Sequence, residues 1–345
     1  MIKTLKLLFV AAVSSAAVLF VASCSQKPAV QSVAENDCVN LIFDTDMAPD
    51  YDDVGALAIL HCLADSGEVR ILGTASSNRC ATAVPCIEVI NTYFGRPEIP
   101  VACVRGDAPD RTTWHNGDRW TEILPQRFPH TIASSADAED ATVMYRRVLA
   151  QQPDSSVTIV SVGFLSNMSN LISSQPDSIS SLAGIDLVRQ KVRRLVVMGG
   201  AETTGREFNL ITDSIAAQNA LNNWPGEVVY SPFELGNAIL TGKRLVESGI
   251  TGSPVIDTFT MCLAQDNSNG RMSWDETAAL AAVRPDCGLF EMTRGTNVID
   301  EHGVNTWTPD PNGKDLMMKL VVAPEVAAEY LERLMLHQPV QKQKS

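Results

Sequence analysis

Short apolar runs that alternate with helical patterns constrain this chain more than any other feature. Leu41–Phe43, Val69–Thr74, Ile99–Cys103, Val157–Val162, Leu195–Met198 and Glu227–Tyr230 have the length and aliphatic content of buried strands. Helical periodicity falls between them, near residues 53–65, 82–94, 138–151, 166–174, 213–223 and 275–283, and a closing helix is predicted at 324–337. Strands separated by helix-length connections pair in parallel through crossovers, so an α/β domain is predicted, with a mostly parallel central sheet and helices on both faces. Ligands of such sheets bind outside the carboxyl ends of the strands. Residues 104–137, with Trp114, His115 and Trp120, have little periodicity and read as an insertion near that edge.

The first of these strand ends carries the chemistry. Asp44-Thr45-Asp46-Met47-Ala48-Pro49-Asp50-Tyr51-Asp52-Asp53 places five carboxylates in ten residues between an apolar strand and an apolar helix. So dense a cluster repels itself and needs compensation from a cation, from helix N-terminal amides or from protonation. One or two of the acids could cap the helix, but five call for more. A hard divalent ion held by oxygen ligands answers the rest, and Ca2+ tolerates several carboxylates in flexible geometry. Asn78, Gly163 and Gly199-Gly200 follow other strands and would face the same pocket.

The N-terminus reads as a targeting segment. Lys3 and Lys6 precede the apolar stretch 7–22, and Val21-Ala22-Ser23-Cys24 resembles a bacterial lipobox. Residues 1–23 are therefore predicted to be a lipoprotein signal peptide, Cys24 the lipidated residue, 24–39 a polar tether, 40–337 the folded domain and 338–345 a polar tail. The expected location is the bacterial cell envelope, with the membrane reached through the lipid anchor. The net charge is −13. Together with the lack of a basic stripe, this argues against nucleic acid as a partner. Seven cysteines besides Cys24 are scattered, and Cys80 and Cys86, the closest pair, lie more than a helical turn apart, so neither a zinc site nor a disulfide is predicted from them. Motifs for dinucleotide binding, P-loop hydrolysis, zinc proteolysis and serine esterase chemistry are absent.

Four segments in order carry a family resemblance over nearly all of 40–335. They are Asp44-Thr45-Asp46 with Asp52-Asp53; Val157–Val162 continuing into Gly163-Phe164-Leu165-Ser166-Asn167; Met198-Gly199-Gly200 followed by Glu207-Phe208-Asn209; and Trp274-Asp275 before an apolar helix. The chain resembles the inosine/uridine-preferring nucleoside hydrolases, which implies their Rossmann-like open sheet and a single Ca2+ at the base of the pocket. It implies Asp46, Asp53 and Asp275 as metal ligands, with the carbonyl of Val162 as a main-chain ligand. Asp46 would also be the general base on the attacking water, and Asp44 would orient its neighbours. Asp52 would hold the ribose hydroxyls, Asn78, Glu207 and Asn209 would contact the sugar, and Trp274 would stack on the leaving group. Relatives are often dimers or tetramers, so a homo-oligomer is within the expectation.

The chain departs from the family pattern in two places. Asp50 is an additional acid in the first loop and competes with Asp52 for the ribose contact. Trp274 stands where many relatives have a histidine that protonates the leaving base, and an indole cannot act as that acid. His115 is the replacement candidate within the insertion. The function expected is calcium-dependent hydrolysis of a ribonucleoside to ribose and free base. The alternatives are hydrolysis of another ribofuranoside, or a non-catalytic calcium-bound riboside-binding lipoprotein.

Overall fold

A computed structural model of the chain describes residues 38–340; the lipobox, Cys24 and most of the proposed tether lie outside the described residues, as do the last five positions of the tail. Among the described residues thirteen strands run in chain order. They are β1 (Val39–Thr45), β2 (Val69–Ser76), β3 (Val101–Cys103), β4 (Glu139–Asp140), β5 (Val157–Ser161), β6 (Val192–Met198), β7 (Thr204–Arg206), β8 (Val228–Ser231), β9 (Leu240–Thr241), β10 (Arg271–Met272), β11 (Phe290–Ile299), β12 (Val304–Pro309) and β13 (Asp315–Leu320). Eleven form one sheet in the order β4-β3-β2-β1-β5-β6-β8-β13-β11-β12-β7, and β9 pairs with β10 separately.

Strands β4 through β13 in that order are parallel neighbours, as the helix-length crossovers require. Successive residues in the central strands go to opposite cores. Leu41 and Phe43 pack on one face with Val160 and Val196, while Ile42 packs on the other with Ile159, Leu195 and Val197. A strand buried on both faces reads as a continuous apolar run, which is why these strands stand out in the sequence.

The far edge differs. β11, β12 and β7 run antiparallel to their neighbours. They were not predicted: β11 alternates buried and exposed positions and carries Glu291, Arg294, Thr296 and Asn297, so it lacks an apolar run. The helices Trp120–Arg127 and Pro254–Asp266 were also not predicted. The first interrupts the insertion and buries Trp120 completely. Among the described residues no helix is long and apolar enough to cross a membrane. The seven described cysteines are all unpaired.

Candidate active site

β1 lies between β2 and β5, so the chain departs to opposite sides of it and a crevice opens beyond its carboxyl end. The loop 46–51 crosses that crevice and leads into the helix Asp52–Asp65. Gly163 lets β5 approach the loop, because a Cβ there would stand 2.2 Å from the Asp46 amide nitrogen. Gly55 does the same for two helices: a Cβ would lie 2.4 Å from Glu276 Oε1. Without it the first turns of Asp52–Asp65 and Trp274–Val283 come together, which brings Asp52 and Asp53 toward Asp275. Both acid groups sit at helix N-termini, where the dipole favours negative charge. Ala48 is held at φ 146°, a strained value for a residue with a Cβ, in the middle of the loop.

The result is a cavity of about 200 Å³. Asp46, Asp50, Asp52, Asp275 and Val162 form its floor, Met198, Glu207 and Asn209 one wall, and Trp114, Phe208, Phe233 and Trp274 an aromatic rim, with Arg271 between floor and rim. Asp53 lies just beneath, with one oxygen hydrogen-bonded by the Thr45 hydroxyl and Oδ2 buried without a partner among the described residues. Phe233 and Trp274 stack at 5.3 Å, and the Trp274 indole N–H donates to the Phe233 carbonyl at 2.9 Å.

The electrostatics follow from crowding. Burial raises the pKa of Asp46, and the charges of Asp53, Asp50 and Asp52 raise it further. Asp53 and Asp275 are raised in the same way, by burial first and then by neighbouring carboxylates. Burial pushes Asp50 up to about 7. Glu207 is also pushed to about 7 by burial, although the amides of Asn209, Leu210 and Gly200 pull against it. Arg271 meets Asp52 Oδ1 at 3.1 Å and also pairs with Asp50. Burial opposes its charge, but Asp52 and Asp50 outweigh that and raise its pKa above the usual guanidinium value.

An oxygen-only set of buried, mutually repelling carboxylates with an orphaned Asp53 oxygen has the donor chemistry of a hard divalent cation site. Among the described residues no three acidic, imidazole or thiolate groups are closed into a ready ligating cluster. Arg271 occupies Asp50 and Asp52 instead. Asp46, Asp53, Asp275 and the Val162 carbonyl are the groups that remain.

Two expectations need correction. Asn78 does not line the cavity. Its Nδ2 donates to the carbonyls of Asp46 (2.9 Å) and Arg111 (2.7 Å), and its Oδ1 accepts from the amides of Cys80 and Arg111. The amide is saturated and holds the Asp46 main chain, leaving no group for a sugar. His115 is likewise withdrawn from the cavity: Nε2 meets Asp266 Oδ1 at 2.8 Å and Nδ1 meets the Thr113 hydroxyl at 3.2 Å. Tyr51 bonds the other Asp266 oxygen, so His115 ties the insertion to the first loop beneath Trp114.

Asp44 stands behind the floor and accepts from Tyr145 and Asn167, each at 2.8 Å. Burial carries its pKa to about 7 against those bonds. Glu207 caps the short helix Phe208–Thr212, and Asn209 Nδ2 donates to the Val162 carbonyl at 3.0 Å. Phe208 is exposed at the rim. The sequence reading missed Arg271 altogether. The available signal was a single cation three residues before Trp274, with no periodicity around it.

An acid-lined cavity at the switch point of a mixed α/β sheet defines the class: an α/β fold with a carboxylate-lined ligand pocket. Residues 41–324 match the family described as inosine-uridine preferring nucleoside hydrolase. The chain belongs to that family and is an N-ribohydrolase, with a nucleoside as its small-molecule substrate and the metal dependence of the family. Its structure is similar to that of a plant nucleoside hydrolase (18% identity, TM-score 0.66, covering 86% of this chain and 98% of that one). It is also similar to the inosine-uridine preferring nucleoside hydrolase from Bacillus anthracis (18%, 0.64, 86% and 99%). A third similar structure is a purine-preferring ribonucleoside hydrolase from Gardnerella vaginalis (17%, 0.63, 86% and 98%). At these identities the likeness establishes the fold. No match is found among curated protein sequences.

Proposed function

We propose that this N-ribohydrolase splits ribonucleosides in a calcium-dependent reaction at the bacterial cell envelope, where a lipid on Cys24 holds it to the membrane. The observation that carries the reading is the cavity itself, a carboxylate floor beneath an aromatic rim suited to a nucleobase. Asp46, Asp53, Asp275 and the Val162 carbonyl are the groups that would hold Ca2+. When bound there, the ion supplies Lewis acidity to the attacking water.

Asp46 removes the water proton. A carboxylate on the floor beside the attacking water suits that step. Asp52 accepts from the ribose hydroxyls, with Asp50 beside it on the floor as the second acceptor. Glu207 accepts from the sugar, and Asn209 offers Oδ1, which has no partner among the described residues. Positive charge developing on the ribose ring is stabilised by the surrounding carboxylates. Trp114, Phe208, Phe233 and Trp274 give the departing base an aromatic surround.

Ribose release from a panel of purine and pyrimidine nucleosides, with Ca2+ and after chelation, tests this reading. Calcium-restored release is expected. Activity that survives chelation, or that Mg2+ restores while Ca2+ does not, would remove the calcium assignment. Release from other ribofuranosides and from no nucleoside would shift the substrate class.

A further inference from the structure

Cleavage of an N-glycosidic bond leaves an electron pair on a nitrogen of the base, and a poor leaving group of this kind needs a donor beside it. The cavity offers few. Among its described lining residues the side chains bearing N–H groups are Arg271, Asn209, Trp114 and Trp274. The Asn209 amide donates to the carbonyls of Val162 (3.0 Å) and Met198 (3.4 Å), and the Trp274 indole donates to Phe233. The Trp114 indole has no partner among the described residues, but it is neutral and 45% exposed, so Arg271 is the one buried cation of the lining with capacity left. Its Nε and Nη2 engage Asp52 and Asp50, while Nη1 has no hydrogen-bond partner among the described residues.

The guanidinium is also held in place. Its central carbon lies 4.9 Å from the Trp274 ring, 5.0 Å from Trp114 and 5.2 Å from Tyr51. Three rings and two carboxylates fix a planar cation whose side chain is only 8% exposed, at the boundary between the sugar floor and the aromatic rim. A fixed, desolvated charge costs no reorganisation when charge develops beside it.

We propose that Arg271 is the leaving-group residue of this enzyme, its unengaged guanidinium N–H donating to the nucleobase as the bond to C1′ breaks. The proposal rests on the ribonucleoside hydrolase reading. Water oxygen bonds to C1′, the C1′–N electron pair passes to the base, and the water proton passes to Asp46. Arg271 keeps its own proton throughout, as a guanidinium must. The released base anion takes a proton from solvent, and Asp46 returns one, so one water is consumed. The function usually given to a proton-donating histidine is thereby met by electrostatic stabilisation, and Trp274 is free to be one wall of the cage.

The test compares two leaving groups on the same ribose. Wild type, Arg271→Lys and Arg271→Gln are assayed on inosine and uridine and on 4-nitrophenyl β-ribofuranoside, whose phenolate leaves without assistance. Arg271→Gln is expected to lower kcat on nucleosides by about 10²- to 10³-fold and on the nitrophenyl riboside by less than about tenfold. Arg271→Lys, which keeps the charge but not the fork, is expected to fall between on nucleosides. Both substrates place the same sugar on Asp50 and Asp52, so equal losses on both would show that Arg271 only sets those carboxylates and would overturn the proposal. If Arg271→Gln fails to fold, the same comparison is read from Arg271→Lys. Wild type that cleaves the nitrophenyl riboside but no nucleoside would refute leaving-group assistance while keeping a ribofuranoside hydrolase. Wild type that cleaves neither would overturn the function and the proposal together.

Discussion

The floor and the rim of the cavity are built on different principles. The floor comes from the ends of β1 and β5, the buried loop 46–51 and two helix N-termini, locked by Gly163 and Gly55 at distances that a single Cβ would break. The rim comes from loops and short segments: Trp114 in the insertion, Phe208 and Phe233 in short helices, and Trp274 at a helix start. Trp114, Phe208 and Phe233 are all exposed, whereas Asp46, Asp52 and Asp275 are all buried. Rigid elements fix chemistry and loops vary specificity. The floor should therefore govern kcat and the rim KM, and experiments can break that division.

The largest expected effect is on the floor. Asp46→Asn removes the base while keeping the shape, and kcat should fall by about 10³-fold. In chelator the melting temperature should hold or rise, because the change also removes a buried carboxylate that Asp53, Asp50 and Asp52 repel. A loss under tenfold would mean that Asp46 is not the base.

The second prediction concerns the floor without a cation. Asp44, Asp50 and Glu207 titrate near 7 in the folded protein but near the ordinary carboxylate values once unfolded. Between about pH 4 and about pH 7 the folded state then holds more protons, so stability falls as pH rises through that window. Chelated protein should melt roughly 5 °C or more lower at pH 8 than at pH 5. Added Ca2+ should reverse most of that fall. A flat or rising profile in chelator would contradict the crowding described for the floor.

The contrast also explains what the sequence disclosed. The parallel half was legible because strands buried on both sides are unbroken apolar runs, and the floor was legible because five acids at one strand end admit few explanations. The antiparallel edge was hidden because β11 and β12 mix polar and apolar residues. Asn78 shows a different limit. Its position after β2 was readable, but not which way its amide spends its hydrogen bonds. Arg271 shows the limit of pattern altogether, since a cation that pairs with acids some 220 positions away has no local signature.

Asn78 gives a smaller, mixed prediction. Asn78→Ala deletes two donors' acceptor and two acceptors' donor around the Asp46 main chain. Stability should drop by about 1–3 kcal/mol, because buried partners are left unsatisfied. A loosened Asp46 should lower kcat by roughly tenfold with little change in KM. A KM effect larger than the kcat effect would return Asn78 to the sugar contact first expected of it.

The smallest effect should be found at the rim. Trp114 is 45% exposed, touches Arg271 through its ring face and belongs to no helix or strand. Trp114→Ala removes one stacking surface, worth about 1–1.5 kcal/mol, so KM for nucleosides should rise roughly tenfold while kcat changes by less than threefold. The ring also helps hold the guanidinium still. If that second role dominates, kcat on nucleosides will fall while kcat on the nitrophenyl riboside does not, and the boundary between floor and rim will run through Arg271 rather than above it.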